Sequence, residues 1–457
     1  MYVLAAFDVL RGHKVVWTDQ PAQLDAAPHI EFKMIPSGLH ERDEDAVYFV
    51  CGKFHGIARY ACRRPQQPSD RRDVHMYSLA SLVPLSQKLP WHQEFLLKNE
   101  LAKFLRSLDL QVLRNDLRIT TSRVFGDQCH PILALNMFMH VYGPSMFAMW
   151  KAGLSRQRTL LAPISGVSLR HMCQFTYIAA QISAIPEDVA VLLPCWQRYA
   201  GYQAQGHQRQ AGPSVPSLET PNDLADQTQE SSDSVPVAQV QCLYNVTLND
   251  LQFLQSADSF WATTTDLILL SPQRDACDCY IEPDKLVDLS WSTEVFSSYR
   301  DRHRYRHVIG AYSTDIAPRA DPESSEPSSL ESTLPSSVSK SGASNFSSKF
   351  DMLLDSCVNG LVWWATAGES ARIEEVNPRT QESDAVRVIG HFQDFTRQLI
   401  RHFSRVHIED EEVVQLTITD MALMGLDPFS KSDKIFINRF SLAWFDKPVQ
   451  FGCTCCM

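Results

Sequence analysis

Apolar and polar positions change period several times along this chain, and the changes divide it. Near the N-terminus, Val3 to Phe7 and His13 to Trp17 flank a polar stretch from Asp8 to Gly12, the pattern of a β-hairpin. Residues 31–35 half-alternate and stop at Pro36-Ser37-Gly38. Residues 45–50, 56–62 and 74–83 read as strands, with a turn at 52–55 and a polar, proline-containing loop at 63–73. The period then switches. Leu97, Leu101, Phe104, Leu105 and Leu108 share one helical face, which predicts an amphipathic helix over 91–107.

The stretch 144–182 reads as helix, strand, helix. Met146, Met149, Trp150 and Gly153 recur at helical spacing, with Pro144 near the first turn, where its missing N–H costs little. Trp150 on this face reads as core. Residues 159–162 form a short apolar run closed by Pro163, and Ser165-Gly166 makes a turn. Leu169, Met172, Cys173 and Thr176 mark a second helical face. Such a unit is the seed of an α/β domain. The continuous apolar run 189–194 predicts a buried parallel strand. Residues 241–246, 262–265 and 279–281 read as further strands. Residues 284–307 read as helical and end in the basic cluster Arg300, Arg302, Arg304, Arg306. Helices are expected at 350–365, 386–403 and 435–444, and Ser430 with Asp433 resembles a capping box. Two segments, 203–237 and 314–348, are dominated by Ser, Pro, Gln and acidic residues. They carry too little apolar surface to offset the entropy of ordering, so disorder is expected there.

Composition narrows the function classes. A chain of 457 residues exceeds one hydrophobic core and suggests two or three domains. Its formal net charge of −11 argues against a nucleic-acid partner, which calls for a basic surface. The twelve cysteines are mostly scattered, as expected of reduced cytoplasmic thiols. No signal peptide is read at the N-terminus and no apolar run reads as a membrane span.

Chemistry-bearing motifs are sparse. No P-loop and no dinucleotide-binding glycine pattern is present. Gly368 to Arg372 approaches a nucleophile elbow but ends in Arg. Cys277-Asp278-Cys279 lacks a second ligand pair at zinc spacing, and Cys51 with His55 reads as a core thiol and a surface histidine. Neither a metal nor a cofactor is expected.

The runs AFDV, PSGLHERDEDAVYFV and GIARY in residues 5–63 resemble the upstream segment of DENN proteins, in particular the LCHN-like branch. The likeness continues more loosely at Tyr244-Asn245-Val246 and at 261–266, and returns at 419–427. The resemblance implies a tripartite DENN architecture of α/β class (α+β overall): a longin-like N-terminal module and a three-layer α/β C-terminal module. The expected division is 1–125 longin-like, 126–312 central α/β with the insertion 203–237, 313–348 linker, 349–450 C-terminal helical part, and 451–457 a cysteine-rich tail. It also implies exchange of guanine nucleotide on a Rab-type small GTPase in membrane trafficking. The alternative is a DENN-fold scaffold or effector without exchange activity.

Exchange needs no covalent chemistry, so no catalytic residue is expected. Candidate GTPase contacts are Pro36, Gly38, His40 and Asp45 in the loop 36–45, because loops carry function more often than cores. Arg300, Arg302 and Arg304 are the second candidate group, reading either as a solvated helix face or as a contact with an acidic GTPase or anionic lipid. The ending GCTCCM fails the prenylation box, since Thr454 stands four from the end. Cys453, Cys455 and Cys456 remain candidates for S-acylation or for unmodified thiols. The expected location is cytoplasmic, with peripheral membrane contact as a further partner.

Overall fold

Short alternating segments rich in β-branched and aromatic residues build the first half of the fold. In the computed structural model, residues 1–8, 10–63, 75–111, 113, 130–196, 240–290, 293–312, 384–407 and 411–452 are described. Tyr2–Asp8 (β1) and Gly12–Thr18 (β2) form the expected hairpin. Glu44–Cys51 (β3) and Phe54–Arg63 (β4) are joined at Gly52, whose φ of 56° lies in the left-handed region. Only glycine serves there for a second reason: a Cβ would strike the Ala26 carbonyl oxygen. His75–Pro84 (β5) pairs between β4 and β1. The helix Gln93–Ser107 lays Leu97, Leu101 and Phe104 on this antiparallel half. Residues 31–35 differ from the strand-like reading. They lie in the helix Ile30–Met34, which turns Ile30 and Met34 inward four residues apart.

The second half is parallel at its centre. Arg158–Leu161 (β6), Gln241–Val246 (β7) and Phe260–Thr264 (β8) run parallel in the order β6-β8-β7, and Cys279–Ile281 (β9) joins parallel to β6. The helices Met146–Leu154 and Leu169–Ile182 flank β6 in sequence, as the 144–182 pattern predicts. Trp150 is fully buried and donates from Nε1 to Thr396 Oγ1 at 2.8 Å. Lys285–Asp288 (β10) and Thr293–Phe296 (β11) add an antiparallel edge where a helix was expected; the helix begins only at Tyr299. The short alternation in Lys285–Asp288 buries Leu286 and Asp288 and so has a strand period, not a helical one.

Among the described residues, one eleven-stranded sheet results, ordered β11-β10-β9-β6-β8-β7-β3-β4-β5-β1-β2. The fold is therefore mixed α/β. The strand ladder joins the two halves through a single residue pair, Phe49 with Tyr244, beside a bulge in β7 where Tyr244 takes a φ of 59°. Strands from both sides of the expected division thus share one sheet, and the division point near residue 125 lies outside the described residues. Residues 1–305 and 385–457 form one compact unit; the other unit, 306–384, contributes to the description mainly the last turns of the helix Tyr299–Tyr312.

Two further readings are corrected. The apolar run 189–194 is not a strand. Pro186 and the acidic pair Glu187 and Asp188 start a short helix, Glu187–Ala190, and Val191 is exposed. The segment Pro131–Leu154 is long and apolar enough to span a bilayer by length and composition. More than half of it is buried in the protein, and its helix is interrupted at Gly143-Pro144. Residues 203–237, 314–348 and 350–365 lie outside the described residues.

The helices Asp384–Val406, Ile418–Leu423 and Lys431–Phe445 complete the first unit. Lys151, buried in the Met146–Leu154 helix, donates to Asp301 and Asp433, each at 2.7 Å. Ser430 caps Asp433 N–H as the capping pattern suggests, but the Asp433 carboxylate turns to Lys151 and the Asp427 N–H instead of back to Ser430.

Burial also sets a pH response. It pushes the His55 and His171 imidazoles below their ordinary 6.5, with the bond to the Leu85 carbonyl acting against it at His55 and the Arg170 charge acting with it at His171. Below that pH the unfolded chain takes up protons that the folded chain resists, so stability falls on acidification. The urea midpoint is expected to drop between pH ~7.5 and ~5.5. The His55→Gln/His171→Gln variant should show a shallower drop; an equal drop would remove these histidines as its source.

Candidate functional site

Strands β6, β7 and β8 run parallel, so their carboxyl ends lie on one edge of the sheet. Open α/β sheets place their sites at that edge. Because β3 runs antiparallel to β7, the loop that leads into β3 arrives at the same edge. The loop 36–45 therefore meets the segments that follow β6, β7 and β8.

Two buried carboxylates fix this meeting. Asp45 is 5% exposed and accepts from the N–H groups of Leu169 at 3.0 Å and Arg170 at 3.2 Å. These are first-turn donors of the Leu169–Ile182 helix, which have no partner within the helix. Ser168 supplies the ordinary cap by accepting from His171 N–H at 3.2 Å. The second carboxylate is Glu94, 6% exposed. It accepts from Tyr48 Oη at 2.6 Å, Arg59 Nη1 at 3.1 Å and Arg170 Nε at 2.8 Å. Burial and the Glu94 charge hold the Tyr48 hydroxyl well above its ordinary range, so it stays a donor. Burial works against the Arg170 charge, but Glu94 outweighs it and raises the guanidinium.

The rim itself is held by a third carboxylate. Asp266, just beyond β8, accepts Ser37 Oγ with one oxygen and Leu248 N–H at 2.8 Å with the other. One side chain thus ties the loop from the antiparallel half to the segment after β7. Lys33 adds a bond to Asp250 at 2.5 Å, and Asp250 closes a capping box with Thr247. Arg42 donates to the Val167 carbonyl at 2.6 Å. Gly38 turns at a φ of 86° against Thr265. Leu248, Leu267 and Ile268 are 45%, 64% and 44% exposed beside these bonds.

The candidate residues separate into two places. Pro36 is buried, Gly38 and His40 are exposed on the rim, and Asp45 lies beneath it. Arg300 and Arg304 belong to a different neighbourhood. Arg300 donates to the carbonyls of Leu426 at 2.8 Å and Ala422 at 3.2 Å, the end of the Ile418–Leu423 helix. Arg304 stands 4.7 Å over the Phe395 ring and packs so closely on Gly425 that a Cβ there would strike its guanidinium. Burial, with the Arg300 charge, lowers it to about 10. Both guanidiniums are thus engaged within the fold, and Arg302 is the exposed member. Cys453, Cys455 and Cys456 lie outside the described residues. Among the described residues no group of three or more His, Cys, Asp or Glu is placed to hold a metal ion.

Sequence reasoning missed Asp266, Leu248, Leu267 and Ile268 as rim residues. The signal was present in part, since Asp266 ends the 261–266 stretch that carries the resemblance. Leu267 and Ile268, being apolar and consecutive, read as core.

The geometry is that of a mixed sheet whose rim is built from loops of both halves. Comparison with known proteins adds what the chain is similar to. Residues 2–122 and 110–200 match the family model of DENN domain-containing protein 11, and residues 380–453 match a domain of unknown function, DUF4484. The chain is 23% identical over 237 residues to the uncharacterized protein ANR2 of Saccharomyces cerevisiae, covering 41% of this chain and 46% of that protein. It is 25% identical over 197 residues to DENN domain-containing protein 11 of Xenopus laevis, covering 37% and 44%. The chain thus spans less than half the length of these curated relatives. Over residues 2–200 the chain is thus similar to DENN domain proteins.

The clamp generates a stability prediction. Asp45→Ala leaves two buried helix N–H groups without partners and is expected to cost about 2–3 kcal/mol in equilibrium unfolding. A loss below about 0.5 kcal/mol, the range of ordinary surface substitutions, would show that the clamp does not hold the helix.

Proposed function

We propose that this protein is a guanine nucleotide exchange factor for a Rab-type small GTPase, of the LCHN-like branch, working in membrane trafficking. Its antiparallel half is the longin-like module of that reading. It acts in the cytoplasm, with peripheral membrane contact, and performs no covalent chemistry of its own. Members of the DENN domain family generally act on Rab GTPases, and the family match covers most of the first two hundred residues.

The observation that carries the reading is the convergence on the rim. The loop 36–45 lies within the matched residues 2–122, the ends of β7 and β8 lie in stretches with a looser resemblance to DENN proteins, and Asp266 bonds the loop to the segment after β7. The likeness therefore gathers on an exposed edge as well as in the core. Exchange then follows from linkage. A protein that binds the nucleotide-free GTPase more tightly than the loaded form must weaken nucleotide binding by the same factor.

The test is release of labelled GDP from a panel of Rab proteins. At least one is expected to release GDP at least ~10-fold faster with the purified full chain, a release barrier lowered by about 1.4 kcal/mol or more. Tighter binding to a GTP-loaded Rab than to its nucleotide-free form would make the protein an effector, and binding without accelerated release a scaffold.

A further inference from the structure

We propose that the rim docks onto an apolar patch of the partner GTPase that is bordered by lysine or arginine. The proposal rests on the exchange reading and specifies the chemistry of the face it recognises.

Leu248, Leu267 and Ile268 are each at least 44% exposed, and Asp266 brings their segments together: its carboxylate accepts Leu248 N–H, and its backbone leads directly into Leu267 and Ile268. Single exposed leucines are ordinary, but several gathered at one loop-built edge mark an interaction surface. The surface is also held in shape. Ser37, Thr247, Asp250 and Asp266 are bonded into it, so little ordering remains to be done on binding.

The charge around it has a sign. Along the adjoining loop Glu41 is exposed, whereas the Arg42 guanidinium is engaged by the Val167 carbonyl and the Asp45 carboxylate. The chain as a whole carries a net charge of −11. Interfaces of this kind have an apolar centre and a charged border, and complementarity then calls for a basic border on the partner. The arginines read from sequence as the partner-facing charge do not supply it here, since Arg300 and Arg304 are engaged within the fold.

The experiment measures association of the full chain with the nucleotide-free Rab protein that the wild-type chain binds. Leu267→Asp/Ile268→Asp should weaken binding ~30-fold or more, mainly through faster dissociation. Glu41→Lys should slow association several-fold at low salt and lose that effect at high salt. Leu248→Ser gives an independent apolar probe, expected to weaken binding ~5-fold or more. Unfolding midpoints of these variants should match wild type, because all the side chains are exposed. Arg302→Glu, on the exposed side of the Tyr299–Tyr312 helix, should bind as wild type does. Unchanged binding by the Leu267/Ile268 and Leu248 variants, or a loss confined to Arg302→Glu, overturns the rim assignment and leaves the exchange reading standing. If the wild-type chain binds no Rab at all, the exchange reading and the rim assignment fall together.

Discussion

The fold depends on a carboxylate from one half of the sheet capping a helix of the other. Asp45 stands at the start of β3, in the antiparallel half, and accepts from the first N–H groups of the Leu169–Ile182 helix, in the parallel half. The positive end of the helix dipole favours an anion there, and burial strengthens that attraction. Glu94 adds a second tie to the same turn through the Arg170 side chain. These bonds matter because the sheet itself is thin at that line, with one pairing between Phe49 and Tyr244. The carboxylates, not the ladder, set how the two halves meet, and the rim above them inherits its geometry from that setting.

Much of the fold was legible from pattern. The N-terminal hairpin, β3 to β5, the Gln93–Ser107 helix and the helix–strand–helix of 144–182 follow directly from apolar periodicity. Failures occurred where a short apolar run is ambiguous. Residues 189–194 are as apolar as a buried strand, yet Pro186, Glu187 and Asp188 supply a helix start, and Asp188 is drawn outward to Arg397 and Arg401. Residues 284–298 hide two four-residue strands whose alternation is too brief to outweigh a polar, helix-like tone.

The site was legible in the same partial way. The loop 36–45 could be marked from sequence because it carries glycine, proline and the family likeness. Its components could not be sorted: Asp45 and Gly38 look alike as loop residues, yet one is buried in the clamp and the other is exposed. The arginine cluster illustrates the opposite problem. Four arginines within seven residues suggest a solvated or partner-facing surface, but Arg300 and Arg304 have their partners in 395 and 422–426, a hundred residues away in sequence. Long-range pairs of this kind leave no local signal. They also explain why the 380–453 region matches a separate family model and still packs as part of one unit: Lys151 with Asp433, Trp150 with Thr396 and Arg300 with Leu426 bind it to the central helices.

The central claim is that both halves of the sheet contribute to one binding edge. It is tested most directly by amide hydrogen exchange on the full chain, with and without a nucleotide-free Rab protein. Residues 37–43, 247–250 and 265–268 should gain protection together, while 418–427 beside Arg300 stays unchanged. Protection confined to the 418–427 region, or to one half of the sheet alone, would contradict the account.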